Sequence, residues 1–124
     1  MTTSKDEFAV FINDQLQVLG PVDCKRMFGG YGYFLGGLMF ALIADNLLYL
    51  KVDDENRKAF EEMGLEPFTY QKKDKTFSMS YYQAPDVVYE DIEAMHTWGN
   101  SAYSAALRQS LKKSSRKKTN KKQR

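Results

Sequence analysis

The chain has 124 residues with a single cysteine, 43% apolar residues and a formal net charge of +2. That length suits one domain with a modest core, Cys24 alone excludes an intramolecular disulfide, and no run approaches the ~18 apolar residues of a membrane span. The opening "MTTSKDEF" lacks the basic-then-apolar build of a secretory signal, and together these features predict a protein of the reducing cytoplasm without a membrane partner.

"SKDEFAVFINDQLQVLG" reads as a first helix. Ser4 and Glu7 form a capping-box pattern, Phe8, Phe11, Ile12, Leu16 and Leu19 recur at helical spacing, and Gly20-Pro21 ends the run. A three-stranded meander is predicted over 25–52. One bent strand covers 25–34, a turn falls at Gly36-Gly37, and Asp45-Asn46 joins "LMFALIA" to "LLYLKV". "DDENRKAFEEMGLEPF" follows as a short helix capped by Asp53 or Asp54, with Gly64 at its end. Phe68 and Tyr70, then Phe77, Met79 and Tyr81, alternate with polar residues, as a hairpin with one buried face should. From Pro85 on, Val88, Ile92, Met95, Ala102 and Ala106 trace a helical stripe that Gly99-Asn100 is placed to kink or break. The order α-β-β-β-α-β-β-α argues an α+β fold of two layers, an antiparallel sheet with helices over one face.

The last segment is of another kind. Residues 112–124 carry eight Lys and Arg and no acid, whereas residues 1–111 hold ten basic and sixteen acidic groups. With no apolar residue to bury, the tail is expected to be disordered over 114–124. The chain therefore divides into an α+β domain, 1–111, and a basic tail, 112–124.

Five of the eight glycines fall in "MFGGYGYFLGG", Met27 to Gly37. A dinucleotide fingerprint needs G-x-G-x-x-G between a strand and a helix; here the third glycine comes one residue late and a strand follows. "GYGYF" resembles the centre of an RNA-recognition signature. The interval back to "VFIN" (Val10–Asn13) is too short for the helix and strand that fold places between its two motifs. The stretch reads as a bent strand relieved by Gly29, Gly30 and Gly32, ending in a turn.

No catalytic, cofactor or metal residue is assigned. His96 and Cys24 are the only histidine and cysteine, too few for a zinc site, and no nucleophile motif surrounds either. The tail is the feature with clear physical content. Lys112, Lys113, Arg116, Lys117, Lys118, Lys121, Lys122 and Arg124 are candidates for attracting nucleic-acid phosphates without reading sequence. Tyr31, Tyr33, Tyr81 and Tyr82 are candidates for an exposed interface, since Tyr is favoured there and an open sheet invites a homodimer.

Three motifs in order carry a family resemblance: "RMFGG" (Arg26, Met27, Phe28, Gly29, Gly30), "LYLKVD" (Leu48–Asp53) and "MSYYQAP" (Met79–Pro85). With "MHTWGNSAYSAAL" they make residues 22–108 resemble the N-terminal domain of the TfoX/Sxy family. The resemblance implies a two-layer α+β fold like that of secretion chaperones. It also implies a non-enzymatic, bacterial regulator of natural competence, acting with the cyclic-AMP receptor protein. Those regulators carry a second, C-terminal domain, and this chain reads as a single-domain member without it. The expected function is regulation through protein contacts in transcription, with non-specific tail–DNA attraction. The alternative is a general interaction or homodimerisation module with no nucleic-acid role.

Overall fold

The computed structural model describes the backbone of residues 4–27 and 29–122, with side chains for 7–27, 29–76 and 79–113. Helix α1 covers Ser4–Leu16; the Ser4 side chain and the residues before it, on which the expected capping box rests, lie outside the described residues. Ala9, Ile12 and Leu16 form its buried side, and a 3-10 turn at Gln17–Leu19 brings the chain to Gly20.

The first strand departs from expectation. In place of one bent strand over 25–34, β1 (Asp23–Met27) and β2 (Gly30–Leu35) fold back on each other, with Met27 opposite Gly30. The reversal lies at residues 28–29, where Gly29 has a φ of +72°; Phe28 lies outside the described residues. Gly30 answers a close approach, since a Cβ there would stand 2.0 Å from the Ile43 carbonyl oxygen.

The next two turns are as expected. Gly36-Gly37 leads into β3 (Leu38–Ala44) and Asp45-Asn46 into β4 (Leu47–Lys51), and all four turn residues have positive φ. Consecutive positive φ values define the type I′ turn, whose twist matches that of the flanking strands. One irregularity was not legible. Tyr33 pairs with Ala41 but Phe34 with Met39, which leaves Phe40 as the extra residue of a bulge. Phe40 and its neighbour Ala41 are consequently both fully buried, where strict alternation would expose one.

Helix α2 (Arg57–Glu62) closes with the Leu65 amide donating to the Phe60 carbonyl and the Gly64 amide to that of Glu61. This double closure is the Schellman motif. Strands β5 (Pro67–Lys72) and β6 (Lys75–Gln83) form the predicted hairpin. Because β6 and not β5 pairs with β4, the antiparallel sheet runs β1-β2-β3-β4-β6-β5. A 3-10 turn at Asp86–Tyr89 leads into α3 (Ile92–Lys122).

Helix α3 differs from expectation twice. It passes Gly99-Asn100 without a break, and Gly99 serves packing, for a Cβ there would meet Leu19 Cδ1 at 2.9 Å. It also continues through the basic segment, so the backbone is helical to Lys122 where composition predicts disorder. Lys and Arg, seven of the eleven residues 112–122, are good helix formers, and extending an existing helix avoids the cost of nucleation.

The α+β class and the order of helices and strand groups are the expected ones. Paired positions Tyr33, Ala41 and Leu50, with Ile43 and Leu48, pack with Ile12 and Leu16 of α1, Phe60 of α2, and Met95, Ala102 and Ala106 of α3. Leu42, Phe68 and Tyr81 form a second, smaller cluster of strand residues, against which Met39, Tyr49 and Met79 pack.

Candidate functional site

Strand β4 is apolar until its last residue, Lys51, and the polar run "DDEN" then leads toward α2. This corner is fastened to α3 by partly buried hydrogen bonds. The Asn56 amide Nδ2 donates to the Lys51 carbonyl at 3.1 Å and to Ser101 Oγ at 3.2 Å, while its Oδ1 accepts from the Asp53 amide at 2.7 Å. Asp53 Oδ1 accepts from the amides of Glu55 and Asn56, which closes the turn ahead of α2; the cap of α2 itself is Asn56, not the expected Asp53 or Asp54, and it makes no side-chain cap bond. The Arg108 guanidinium grips the same carboxylate as a fork, Nε to Oδ2 at 2.5 Å and Nη2 to Oδ1 at 2.9 Å. That grip holds the Asp53 pKa down at about 2, and the two backbone amides act in the same direction against the opposing effect of burial.

Lys51 is only 7% exposed. Its ammonium donates to Ser80 Oγ at 2.8 Å and lies 5.1 Å from the centre of the Tyr81 ring. Burial, and then the charge of Lys113, lower its pKa from the ordinary lysine value, with Asp53 acting the other way. Two adjoining clefts share Lys51, Gln109 and Lys113. One, of about 270 Å³, adds Asp53, Asp54, Arg57, Ser80 and Lys112; the other, of about 290 Å³, adds Leu38, Met39, Tyr81 and Ala106. Both acids of the first cleft are engaged, Asp53 by Arg108 and Asp54 by Arg57 at 2.8 Å. Among the described residues, Lys51, Lys112 and Lys113 have no carboxylate at ion-pair distance.

The residues singled out from sequence fall elsewhere or only partly here. Tyr33 is fully buried, its hydroxyl donating to the Ala9 carbonyl at 2.8 Å, and Tyr81 is 5% exposed, its hydroxyl donating to the Met39 carbonyl. Neither presents an interface, because both rings pack into apolar clusters. Tyr31 and Tyr82 are half-buried; Tyr31 lies against Arg26, and Tyr82 donates to Glu61. Lys112 and Lys113 are exposed beside the cleft, whereas the side chains of Arg116, Lys117, Lys118, Lys121 and Lys122, and all of Arg124, lie outside the described residues. Cys24 is half-buried beside Tyr33 and its pKa is raised by burial; His96 is exposed on α3. Among the described residues no three His, Cys, Asp or Glu side chains gather as a metal site, and no helix is long and apolar enough to cross a membrane. Sequence reasoning missed Lys51, Ser80 and Arg108. The available signal was the lone cation in "LLYLKV".

Residues 14–106 match the family model described as the TfoX N-terminal domain. The chain belongs to that family. It is 35% identical over 69 residues to the DNA transformation protein TfoX1 of Aliivibrio fischeri, covering 56% of this chain and 33% of that protein. It is 36% identical over 69 residues to the DNA transformation protein TfoX of Haemophilus influenzae, covering 55% and 32% respectively. Protein Sxy of Escherichia coli is 20% identical over 105 residues, covering 85% of this chain and 50% of that protein. The chain thus spans a third to a half of the length of these curated relatives. The TfoX N-terminal match contains Lys51, Asp53, Arg57 and Ser80, and stops short of Arg108, Gln109, Lys112 and Lys113.

Proposed function

We propose that this protein is a non-enzymatic regulator of DNA transformation, acting through protein contacts, with its basic end adding sequence-independent attraction to DNA. Family membership and the names of the relatives support the process. The observation that carries the physical mechanism is the charge division, eight cations in 112–124 against an acidic remainder. An acidic body repels DNA, and a cationic segment gains by releasing counterions from it. Protein contact is supported by Val10 and Phe11 of α1 and Val18 of the 3-10 turn that follows it, which are 60%, 39% and 43% exposed. Exposed apolar residues grouped along one segment fit a partner better than a phosphate backbone.

Truncation after Leu111 tests the DNA part. Full-length protein should bind duplex DNA at low salt by fluorescence anisotropy and the truncated chain should not; equal binding would refute it. Transformation frequency tests the process. Deleting the gene in its own host should lower that frequency, and an unchanged frequency would remove the assignment.

A further inference from the structure

We infer that the two adjoining clefts around Lys51 form one binding site for a small phosphomonoester carrying an apolar or aromatic group. The site is centred on Lys51 and shares Lys112 and Lys113 with the basic end, but its test is distinct from that of the attraction to DNA.

The buried lysine is the starting point. An ammonium offers three donors, and Ser80 Oγ accepts one of them from Lys51. A charge this deeply placed is costly unless it is paired, yet among the described residues no carboxylate stands at ion-pair distance from it. Lys113 converges on the same space, close enough that its charge opposes protonation of Lys51. The two acids that line the same cleft are engaged by arginines, Asp53 by Arg108 and Asp54 by Arg57. An anion lying between Lys51 and Lys113 would relieve their repulsion and satisfy the remaining donors.

The surroundings narrow the ligand. Ser80, Gln109, Arg57 and Lys112 add hydroxyl, amide, guanidinium and ammonium groups around the first cleft. A phosphate dianion presents enough acceptor oxygens for such a set of converging donors. The second cleft continues past Lys51 to Leu38, Met39, Tyr81 and Ala106, where an apolar group can be buried. Apolar walls with a few convergent polar groups are the usual make-up of a small-molecule site. The Lys51 ammonium touches both halves, hydrogen-bonded to Ser80 of the first and stacked near Tyr81 of the second. The apolar half distinguishes this site from one built only to attract a phosphate backbone.

Calorimetry on the full chain with phenyl phosphate, inorganic phosphate and phenol tests the assignment. Phenyl phosphate should bind at least tenfold more tightly than inorganic phosphate, and phenol should not bind. Lys51→Met and Lys113→Gln should each weaken phenyl phosphate at least tenfold, while Lys58→Gln, exposed on α2, should leave it unchanged. If Lys51→Met does not fold, exposed Lys113 decides. Absence of phenyl phosphate binding at millimolar concentration, or affinity indifferent to Lys51 and Lys113, would overturn the site. Equal affinity for inorganic phosphate would overturn its apolar half. A DNA duplex that displaces phenyl phosphate and loses binding in Lys51→Met would overturn the small-molecule assignment in favour of DNA.

Discussion

At the scale of single residues, the corner after β4 shows how a charged group can be structural and expose its neighbour to other use. Asp53 belongs to the fold because Arg108 and two backbone amides hold it ionised. Its pKa is depressed to about 2 from an ordinary 3.8. A depressed carboxylate contributes stability that is present above its ordinary pKa and lost as pH falls through the folded value. The window is therefore between about pH 4 and pH 2. The pair is partly solvated, with Arg108 30% exposed, so screening trims its contribution. Arg108→Met should cost about 1–2 kcal/mol at pH 7 by urea denaturation. The variant should also lose less stability than the parent between pH 4 and pH 2. Parallel pH profiles would show that the fork contributes nothing. Little of this was legible in the sequence. Asp53 was expected only as a cap, because its partner lies 55 positions away on α3. Lys51 reads as a strand end, and Tyr33 and Tyr81 read as interface residues on the general preference of Tyr for interfaces, although the alternation of β6 already sets Tyr81 on its apolar face and both are buried.

At the scale of elements, local chemistry was legible and tertiary contact was not. Turns with positive φ announce themselves by composition, as Gly36-Gly37, Asp45-Asn46 and Gly64 do. The hairpin of β5 and β6 follows from its period of two. The split of the first strand did not follow, since "KRMFGGYGYF" gives no local reason to prefer a reversal over a bend. Nor did the passage of α3 through Gly99, which depends on Leu19 reaching the helix from another part of the chain. The β1–β2 reversal offers a sharp comparison between adjacent glycines. At Gly29 a Cβ meets nothing within 4 Å, but φ is +72°, so Gly29→Ala incurs backbone strain alone, about 1 kcal/mol. At Gly30 the obstacle is the Ile43 carbonyl, 2.0 Å from the added Cβ, and a backbone oxygen inside a paired strand cannot turn aside as a side chain does. Gly30→Ala should therefore cost about 3 kcal/mol as the β2–β3 pairing is forced apart. Thermal or urea denaturation of the two variants separates the mechanisms. Equal losses would mean that the close approach at Gly30 is relieved by a shift of the turn.

At the scale of the whole molecule, electrostatics decides what the basic end can reach. Sixteen acids and ten bases in residues 1–111 make the body a local attractor for cations, and a limp basic tail would collapse onto it at low salt. A helix continuing from α3 resists that collapse. From residue 112 to 122 it advances about 16 Å, longer than the ~8 Å Debye length at physiological ionic strength. The far end is then screened from the acidic surface and available to a phosphate backbone. If all eight cations of 112–124 neutralise duplex phosphates, the logarithm of the binding constant should fall against the logarithm of salt with a slope of about −7. Changing Arg116, Lys117, Lys118 and Lys121 to Gln removes half of the cations and keeps a good helix former at each position. The slope should drop to about −3.5, measured by anisotropy between 50 and 200 mM salt. Because phosphate contacts carry no sequence information, the change should be the same for duplexes of unrelated sequence. A slope unmoved by the four substitutions would place the DNA contact on the body. A slope that changed for one duplex and not another would mean that bases are read, which a row of lysines does not do.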